Sequence, residues 1–530
     1  MKRWNGWGSD FIEYPLNASA QKYLNKEIGA GRKGPSSKID EVLRSIKSSC
    51  LPAHPLVTND LDTRLRHARG QSLPDWIALR FNMVKRFPDG VSYPRSEKEI
   101  LSLLSYAKNA GVQIIPYGGG SSVLGHINPS GDKRPVLTLN MNRFQKLTHL
   151  DKKSRIAVFG AGVTGPHLEA QLRVNEHTMG HFPQSFEYST LGGWIATRSS
   201  GQQSLYYGRI EDLFAGGRMV TPKGILELPP FPASAAGPDL RHLVLGSEGR
   251  LGLITQAVVR ISPLPEAERF QAVFFPSWES GVKAVREMVQ SRLPLSMLRL
   301  SDSVETESTL TIGGHERLVR LLKRLLRARS IGDERCLLVF GMTGVEDGMR
   351  KIRGDALDVA RSHRGVYIGR RIGSEWYKNR FRTPYLRNTL WELGYAVDTL
   401  ETAFLWDDLA RGAESVLENI RNGLKDENQR VLAFAHVSHV YRTGASIYIT
   451  YIYQISQDGE VTLERWKKIK KAASEAIISR GGTISHHHGI GLDHRPYLES
   501  EKGKLGLCVL KCAMHEFDPN KIMNPHKLIK

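Results

Sequence analysis

The sequence predicts an α+β protein with more than one domain, on three observations. At 530 residues the chain is longer than the length at which a single hydrophobic core stops growing. From Val91 onward, apolar runs of strand length alternate with amphipathic helical stretches, but not as a regular doubly wound repeat. Pro263 and Pro265 then separate this region from one of different character. We therefore expect one α+β domain that ends near residue 265 and a second domain after it.

The composition is that of a soluble globular protein with an anionic partner. The chain is 40% hydrophobic and 24% charged, and 74 basic against 54 acidic residues leave a net charge of +20. Such an excess implies nucleic acid, a phosphorylated metabolite or an anionic lipid surface. The sequence has no zinc-ligand spacing, RNA-binding signature or helix-turn-helix punctuation. A nucleic-acid partner would rest on charge alone, so we expect none.

Cysteine usage and hydropathy indicate a reducing compartment and no membrane span. Four scattered cysteines are too few for a disulfide scaffold. Cys508 and Cys512 stand four residues apart in a predicted helix, a spacing typical of two core-facing side chains. No apolar run reaches about 18 residues, and the first residues lack a signal-peptide core. The terminal Lys-Leu-Ile-Lys is not the usual peroxisomal signal. We expect a cytoplasmic or membrane-surface location.

Residues 1–85 are polar and broken by glycine and proline, which predicts a helical segment that wraps another part of the protein. The first eight residues carry two tryptophans, whose large apolar rings are unfavourable in water. We therefore expect this stretch to pack against the rest of the protein. The stretch from Ser96 to Ala110 then predicts an amphipathic helix with Ser96 as its N-cap.

A glycine-rich turn follows a predicted strand at 112–115. Pro116 stops any helix, and Gly118, Gly119 and Gly120 let three successive backbone units approach a ligand closely. Their N–H groups and the hydroxyls of the next two serines suit an anion such as a pyrophosphate. The turn has neither the Gly-Lys-Ser/Thr of a Walker loop nor Gly-x-Gly-x-x-Gly. For this stretch alone, a flexible turn without a ligand is the alternative.

Two more glycine-rich stretches lie downstream. Residues 182–201 place Ser189 and Thr190 like caps before a helix of small residues, where backbone and ligand can touch. Residues 246–255 form two tight turns before an apolar run. Around these stretches we expect strands at 136–139 and 155–159 and a helix at 164–174.

The region after residue 265 predicts a cap domain. It alternates strand and helix patterns, which indicates an antiparallel sheet with helices on one face; the strands are 270–275, 336–342 and 446–453, and the helices include 278–291 and 406–422. Residues 316–329 form a basic amphipathic helix in which leucines oppose arginines. Such a helix either lies in a lipid interface or covers a core, and the sequence leaves both open.

Three consecutive histidines, His486, His487 and His488, lie between two glycine pairs. Consecutive residues point in different directions in a strand or a helix, so at most two of these rings converge, with a further ligand from elsewhere. We therefore predict no metal site from this run. Because the triplet is internal, we interpret it as part of a functional site rather than as a solvated, tag-like run.

Three further side chains suit a polar site. Tyr448 lies on one face of a predicted strand, where a tyrosine either enters a cavity or packs in a core. Arg387 follows Pro384, which should break the local structure, and either holds a phosphate by a forked contact or belongs to a solvated face. Arg299 alternates with leucines and could face inward, and a buried arginine needs an anionic partner.

Together these features resemble the vanillyl-alcohol oxidase superfamily of FAD-linked oxidases and, within it, the alkyldihydroxyacetonephosphate synthase family. The resemblance covers nearly the whole chain. Its most specific pieces are Ser-His-His-His-Gly at 485–489, Pro-Tyr-Leu-Arg at 384–387, Thr-Gly-Ala-x-x-Tyr at 443–448 and the glycine-rich stretch at 187–201. The family pattern usually has Asp and Thr where this chain has Gln184 and Arg250.

The resemblance implies both a fold and a reaction. The fold would have an N-terminal helical segment (1–85), a two-subdomain FAD-binding domain (86–265), a cap domain for the substrate (266–480) and a C-terminal segment (481–530) that returns to the FAD domain and active site. The reaction exchanges the acyl chain of acyl-dihydroxyacetone phosphate for a fatty alcohol through a flavin N5 adduct, without net electron transfer. Its lipid substrates imply peripheral contact with a membrane. The resemblance leaves open whether the protein forms a homodimer.

The resemblance also implies roles for single residues. Tyr448 is the acid/base residue, Arg387 binds the substrate phosphate, His486, His487 and His488 line the site, and Arg299 matches an arginine important for activity. An ordinary tyrosine is a poor base at neutral pH, so we expect positive charge to lower its pKa. The glycine turn has no histidine or cysteine, so the FAD should be noncovalent. The implied FAD contacts are Pro116, Tyr117, Gly118, Gly119, Gly120, Ser121, Ser122, Gln184, Ser185, Phe186, Glu187, Tyr188, Ser189, Thr190, Thr197, Arg198, Ser199, Ser200, Gly246, Ser247, Glu248, Gly249, Arg250, Leu251 and Gly252.

Two other functions compete with this one. An FAD-linked 2-hydroxyacid dehydrogenase of the D-lactate or glycolate type would share the flavin domain and a similar cap. Such dehydrogenases usually carry a metal-binding Gly-His-x-Gly-Asp-Gly-Asn-Leu-His stretch and a Glu-His-Gly-Ile-Gly stretch. The corresponding stretches of this chain, 436–444 and 486–491, lack the acidic residues. A non-enzymatic protein that binds a lipid surface or nucleic acid would leave the three glycine-rich stretches unexplained.

Overall fold

The computed structural model describes residues 2–129, 131, 133–314 and 316–529. Within these ranges the strands form sheets of four, five and seven strands and one two-stranded ladder. Helices cover the sheets and fill the region before the first of them. This is the predicted α+β class.

The N-terminal region wraps other parts of the protein. Trp7 is 5% exposed, packs edge-on against Tyr188 and exchanges two backbone hydrogen bonds with the Asn388 side chain. The prediction that the first residues dock is therefore confirmed. The helices of this region are Ala18–Glu27, Ile39–Ser45, Leu61–Arg66 and Leu73–Arg80.

The first sheet has the strand order Val57–Thr58, Gly90–Ser92, Val136–Asn140, Gln113–Tyr117, and its last three strands are parallel. Helix Glu97–Asn109 packs its apolar stripe on this sheet, and the Ser96 side chain caps it by accepting from the Glu99 N–H, as predicted. The chain returns near its end, where Met523 bridges to Ile114 at the outer edge of the sheet.

The second sheet is antiparallel throughout, and the strands expected on either side of the glycine-rich stretches are present. Its strand order is Leu147–Asp151, Ile156–Gly160, Leu253–Arg260, Phe214–Thr221, Gly224–Leu228. A short ladder joins His177–Thr178 to Ser262–Pro263. The helices here are Gly165–Arg173, Leu191–Thr197, Ser204–Tyr207, Ile210–Leu213 and Arg241–Val244.

The third sheet, called the cap sheet below, is also antiparallel, as predicted. Its strand order is Val366–Tyr367, Ala267–Phe275, Cys336–Gly344, Met297–Ser301, Leu432–Val440, Gly444–Gln454, Tyr395–Leu405. The largest core lies between one face of this sheet and the helices Trp278–Gln290, Glu346–Ser362, Trp406–Asn422 and Gly459–Ser479.

Helices also cover part of the other face of the cap sheet, where the sequence analysis expected none. In the strand Cys336–Gly344, Leu338 and Phe340 belong to the largest core, whereas Leu337 and Val339 belong to a second one. An apolar strand without polar alternation is buried on both faces, which explains the difference. The helices on this side are Ser303–Ile312, Glu316–Arg327 and Arg371–Asn379.

The remaining helical elements are Thr383–Glu392, Leu498–Phe517 and the 3₁₀ turns Lys425–Glu427 and Arg495–Tyr497. Cys508 and Cys512 are exposed, so the expectation that they face a core is wrong. Helix Leu498–Phe517 packs through the stripe 507, 510, 514 and 517, and the cysteines lie outside that stripe. Among the helices of the described ranges, none has both the length and the apolarity to cross a bilayer.

Candidate active site

Four neighbouring strands of the cap sheet present polar side chains at one level. Tyr448 pairs with Glu401 on one side and with His436 on the other, and His436 pairs with Ser301. Directly opposed residues of antiparallel strands point to the same face. Arg299, two residues before Ser301, shares that face. Strand register therefore brings together a tyrosine, a glutamate, a histidine and an arginine that are distant in sequence.

The ring of Tyr448 is held by two imidazoles. His436 stacks on it at 5.1 Å between ring centroids, and His488 meets it edge-on at 5.9 Å. Burial raises the pKa of Tyr448 to about 12, and a hydrogen bond with Thr399 and the charge of Arg387 offset only part of that rise. The expectation that positive charge lowers this pKa is wrong, because the loss of water outweighs the cation. Burial also lowers the pKa of His488 to about 3, so its ring is neutral.

The histidine triplet divides as its spacing predicts, with two rings converging and the third turned away. His486 Nδ1 lies 3.3 Å from Glu401 Oε1, and His487 Nδ1 contacts Glu401 Oε2. His488 instead meets Tyr448. Burial alone would raise the pKa of Glu401, but His487 and His486 hold it well below its usual value. Gly489, directly after the triplet, has a φ of +86°, in the left-handed region that few other residues adopt.

Polar residues that the sequence analysis did not single out complete this cluster. His439 stacks on His486 at 5.1 Å, and its Nδ1 lies 3.0 Å from Ser204 Oγ. The Tyr441 hydroxyl lies 2.5 Å from His486 Nε2. Arg209 donates to the His486 carbonyl at 3.1 Å. The triplet is therefore held on both its side chains and its backbone.

Arg299 has the anionic partner that its burial demands. Its Nη2 donates to Glu305 Oε1 at 2.8 Å, and the same oxygen lies 3.0 Å from His436 Nδ1. Burial alone would raise the pKa of Glu305, but Arg299 and His436 hold it well below its usual value. The ionised Glu305 therefore fixes both the guanidinium and the imidazole that stacks on Tyr448.

Arg387 lies in helix Thr383–Glu392, with Pro384 in the first turn. Pro384 begins this helix rather than breaking the structure, because its missing N–H has no partner in a first turn. The Arg387 guanidinium stacks over Trp76 at 4.4 Å, and its Nη1 donates to the Gln71 carbonyl at 2.7 Å. Its buried Nη2 has no hydrogen-bond partner in the part of the chain that the structure describes. A buried cation with a free donor suits an anionic ligand.

The three glycine-rich stretches form one wall. A Cβ added at Gly119 would lie 1.7 Å from the Tyr188 carbonyl oxygen, and one at Gly249 would lie 2.7 Å from the Pro116 ring. The first glycine turn therefore packs directly on the other two stretches. No described residue accepts a hydrogen bond from the backbone N–H groups of residues 119–121. These free donors fit the pyrophosphate of FAD.

Other residues of the predicted flavin stretches hold the protein together. Gln184 donates to the Arg380 carbonyl at 2.6 Å. Glu248 accepts two backbone N–H groups just after the histidine triplet, and Arg250 donates to the Met523 carbonyl at 2.6 Å. The two departures from the family pattern, Gln184 and Arg250, therefore make contacts within the protein. The rest of the three stretches lies in the same wall, buried or half-buried.

Comparison with known proteins agrees with this geometry. Residues 88–228 match the family "FAD binding domain", and residues 264–528 match "FAD linked oxidases, C-terminal domain". Alkyldihydroxyacetonephosphate synthase of Dictyostelium discoideum is 33% identical over 502 residues, which cover 93% of this chain and 82% of that protein. A solved structure of alkyldihydroxyacetonephosphate synthase, in the P212121 crystal form, superposes with a TM-score of 0.85 at 29% identity and covers 99% of both chains.

The dehydrogenase alternative has more distant relatives. D-lactate dehydrogenase [cytochrome], mitochondrial, of Arabidopsis thaliana is 27% identical over 477 residues, covering 89% of this chain and 78% of that protein. The flavin domain and the cap are thus common to both groups. The higher sequence identity favours the synthase group over the dehydrogenase group. The chain belongs to the alkyldihydroxyacetonephosphate synthase family, and its cofactor is FAD.

Proposed function

We propose that this protein makes ether lipids by exchanging the acyl chain of acyl-dihydroxyacetone phosphate for a fatty alcohol, with release of a fatty acid. The observation that best supports this is the buried cation with a free donor, Arg387, near a tyrosine that lies between imidazoles. A phosphate monoester needs such a cation, and exchange beside a carbonyl needs a group that moves a proton. The names of the synthase relatives reported above support the same reaction.

FAD would be held by the wall of glycine-rich stretches, with its pyrophosphate at the free N–H groups of residues 119–121. Bound FAD supplies covalent catalysis without net electron transfer. Because residues 118–122 contain no histidine or cysteine, we propose noncovalent binding. Acid precipitation should release all flavin into the supernatant, and flavin that stays on the polypeptide would contradict this.

Tyr448 would hold and move the proton of the substrate carbon. With a pKa of about 12 its phenol is protonated at neutral pH, so it can accept a proton only as it gives up its own. His488, edge-on to the ring, is too weak a base to take that proton, because burial lowers its pKa to about 3. Tyr448 would therefore act as a proton relay rather than as a resident phenolate.

The long chains of both substrates reside in membranes, and we propose that helix Glu316–Arg327 contacts the lipid. Three leucines one turn apart are exposed to solvent, at 50% for Leu318, 54% for Leu321 and 59% for Leu325. Leu326 on the adjoining stripe is buried in the second core of the cap sheet. The helix thus covers a core with one apolar stripe and offers a second one outward, which favours the lipid-interface alternative.

Arginines border the exposed stripe on its other side, at positions 317, 320, 324 and 327. Wild-type protein should therefore float with vesicles that contain anionic phospholipid, and the Leu318→Asp/Leu321→Asp/Leu325→Asp variant should not. Leu505, 77% exposed on helix Leu498–Phe517, provides the control, since Leu505→Asp should bind as wild type does. Equal flotation of the triple variant would refute this contact.

One experiment separates the synthase from the dehydrogenase. The protein is mixed anaerobically with palmitoyl-dihydroxyacetone phosphate and, separately, with D-lactate or glycolate. The synthase should lose flavin colour with release of fatty acid, then recover it and form an ether product when hexadecanol is added. Loss of colour with the hydroxyacid alone, reversed only by an electron acceptor, would make the protein a dehydrogenase.

A further inference from the structure

We propose that Glu401, His439, His486 and His487 form a binding site for a divalent metal ion of the zinc class. The four residues come from strand Tyr395–Leu405, strand Leu432–Val440 and the loop that carries the histidine triplet. One ligand atom from each can be chosen so that all four lie within 4.8 Å of one another. This inference goes beyond the proposed synthase reaction.

The distances between these atoms suit a shared ion. Zinc bonds of about 2.0–2.1 Å in a tetrahedron separate the ligand atoms by about 3.3–3.4 Å. Glu401 Oε1 lies 3.3 Å from His486 Nδ1, and His486 Nδ1 lies 3.4 Å from His487 Nδ1. His439 Nε2 is 4.0 Å from Glu401 Oε1, so a small shift of that ring completes the set.

Outer partners hold the ligands as they do in known metal sites, where the second nitrogen of a ligating histidine is hydrogen-bonded. His486 Nε2 faces the Tyr441 hydroxyl at 2.5 Å, and His439 Nδ1 faces Ser204 Oγ at 3.0 Å. Glu401 Oε1 accepts from Ser438 Oγ at 2.9 Å. In both histidines the nitrogen that faces the cluster is therefore left for the ion.

Among the described residues, no lysine or arginine pairs with Glu401. Glu401 is buried, and its ion-pair partners within the described ranges are the three histidines. Arg209 points to the His486 carbonyl and pairs with Glu211 at 3.2 Å, so it does not neutralise Glu401. Buried carboxylates are paired or coordinate metals, and a dication would supply the missing charge.

The ion would position the loop rather than touch the substrate. It would tie two members of the triplet to the cap sheet and so fix His488 against the Tyr448 ring. The sequence by itself predicts no metal, because the triplet alone cannot close a site. Glu401 and His439, which fold beside it, remove that objection.

The test is the metal content of the purified FAD-loaded protein, measured by mass spectrometry after gel filtration in metal-free buffer. Wild type should carry about one zinc-class ion per chain. His439→Ala and Glu401→Gln should bind zinc at least about 10–100-fold more weakly in a competition titration. His488→Ala is the matched control, because it removes the third histidine of the same run but should keep the ion.

A second measurement covers variants that fail to fold. Wild-type protein stripped with a chelator should lose thermal stability, regain it with Zn²⁺ and, with Co²⁺, gain ligand-field absorption at wavelengths beyond the flavin bands. Both readouts are taken without substrate, so they stand apart from the synthase assay. Wild type that purifies without metal and takes up neither ion would overturn the proposal, and Glu401 would then be only a partner of imidazoles.

Discussion

Replacing Arg387 by methionine keeps an apolar side chain against Trp76 but removes the buried cation and its free donor. If Nη2 binds the substrate phosphate, the lost charged hydrogen bonds should cost about 3 kcal/mol, or roughly a hundredfold in affinity. The KM for acyl-dihydroxyacetone phosphate should therefore rise about a hundredfold. The KM for the fatty alcohol, which has no phosphate, should change little.

The variant also loses the bond to the Gln71 carbonyl, so some loss of stability is expected, about 1–3 kcal/mol. Arg80 provides a matched control. It is buried, stacks over the same Trp76 at 5.1 Å, and donates to the Asn5 carbonyl at 2.9 Å, but it is already paired with Glu392. Arg80→Met should lower Tm but should not raise the KM for acyl-dihydroxyacetone phosphate. A similar KM rise in both variants, or less than about threefold in Arg387→Met, would refute the reasoning.

Three further predictions test other parts of the molecule. Tyr448→Phe should lower kcat by about 10²–10⁴-fold with the flavin spectrum unchanged, and a variant with normal kcat would exclude the proton relay. Burial raises the pKa of Asp302 from 3.8 to about 7, so the folded protein loses the stability from that bound proton as pH rises to about 7. The Tm of Asp302→Asn minus that of wild type should therefore be larger at about pH 8 than at about pH 5. The same difference at both pH values would contradict this. Gly119→Ala should purify with little FAD because its Cβ meets the Tyr188 carbonyl, whereas Gly348→Ala, with open space around it, should keep the wild-type ratio of flavin to protein absorbance.

The sequence predicted what depends on local chemistry. The glycine turn before Ser121, the cap of Ser96 and the split of the histidine triplet follow from backbone freedom, hydrogen-bonding side chains and side-chain direction. The need of Arg299 for an anion also followed from burial, although the sequence did not say which carboxylate supplies it.

What the sequence missed depends on strand pairing. Glu401 joins the site through the register of the cap strands, and His439 lies where that register shifts between Val437 and Val440. Glu305 comes from the first turn of helix Ser303–Ile312. No local pattern fixes these placements. A signal for Glu401 was present, since a carboxylate in the apolar strand Tyr395–Leu405 requires a buried partner. The pKa of Tyr448 was mispredicted because burial, which the sequence does not measure, outweighs the nearby arginine.

The return of the chain to its first sheet has a consequence for biosynthesis. Met523 forms a β-bridge with Ile114, and Asn524 donates to the Ile114 carbonyl at 2.7 Å. Arg250 donates a hydrogen bond to the Met523 carbonyl. The strand that leads into the glycine turn is therefore completed by residues the ribosome makes some four hundred positions later. A nascent chain cannot finish its nucleotide-binding wall while these residues are still in the exit tunnel. Flavin loading then has to follow the emergence of these residues from the tunnel, and a premature stop just before Met523 should leave a long chain without flavin colour.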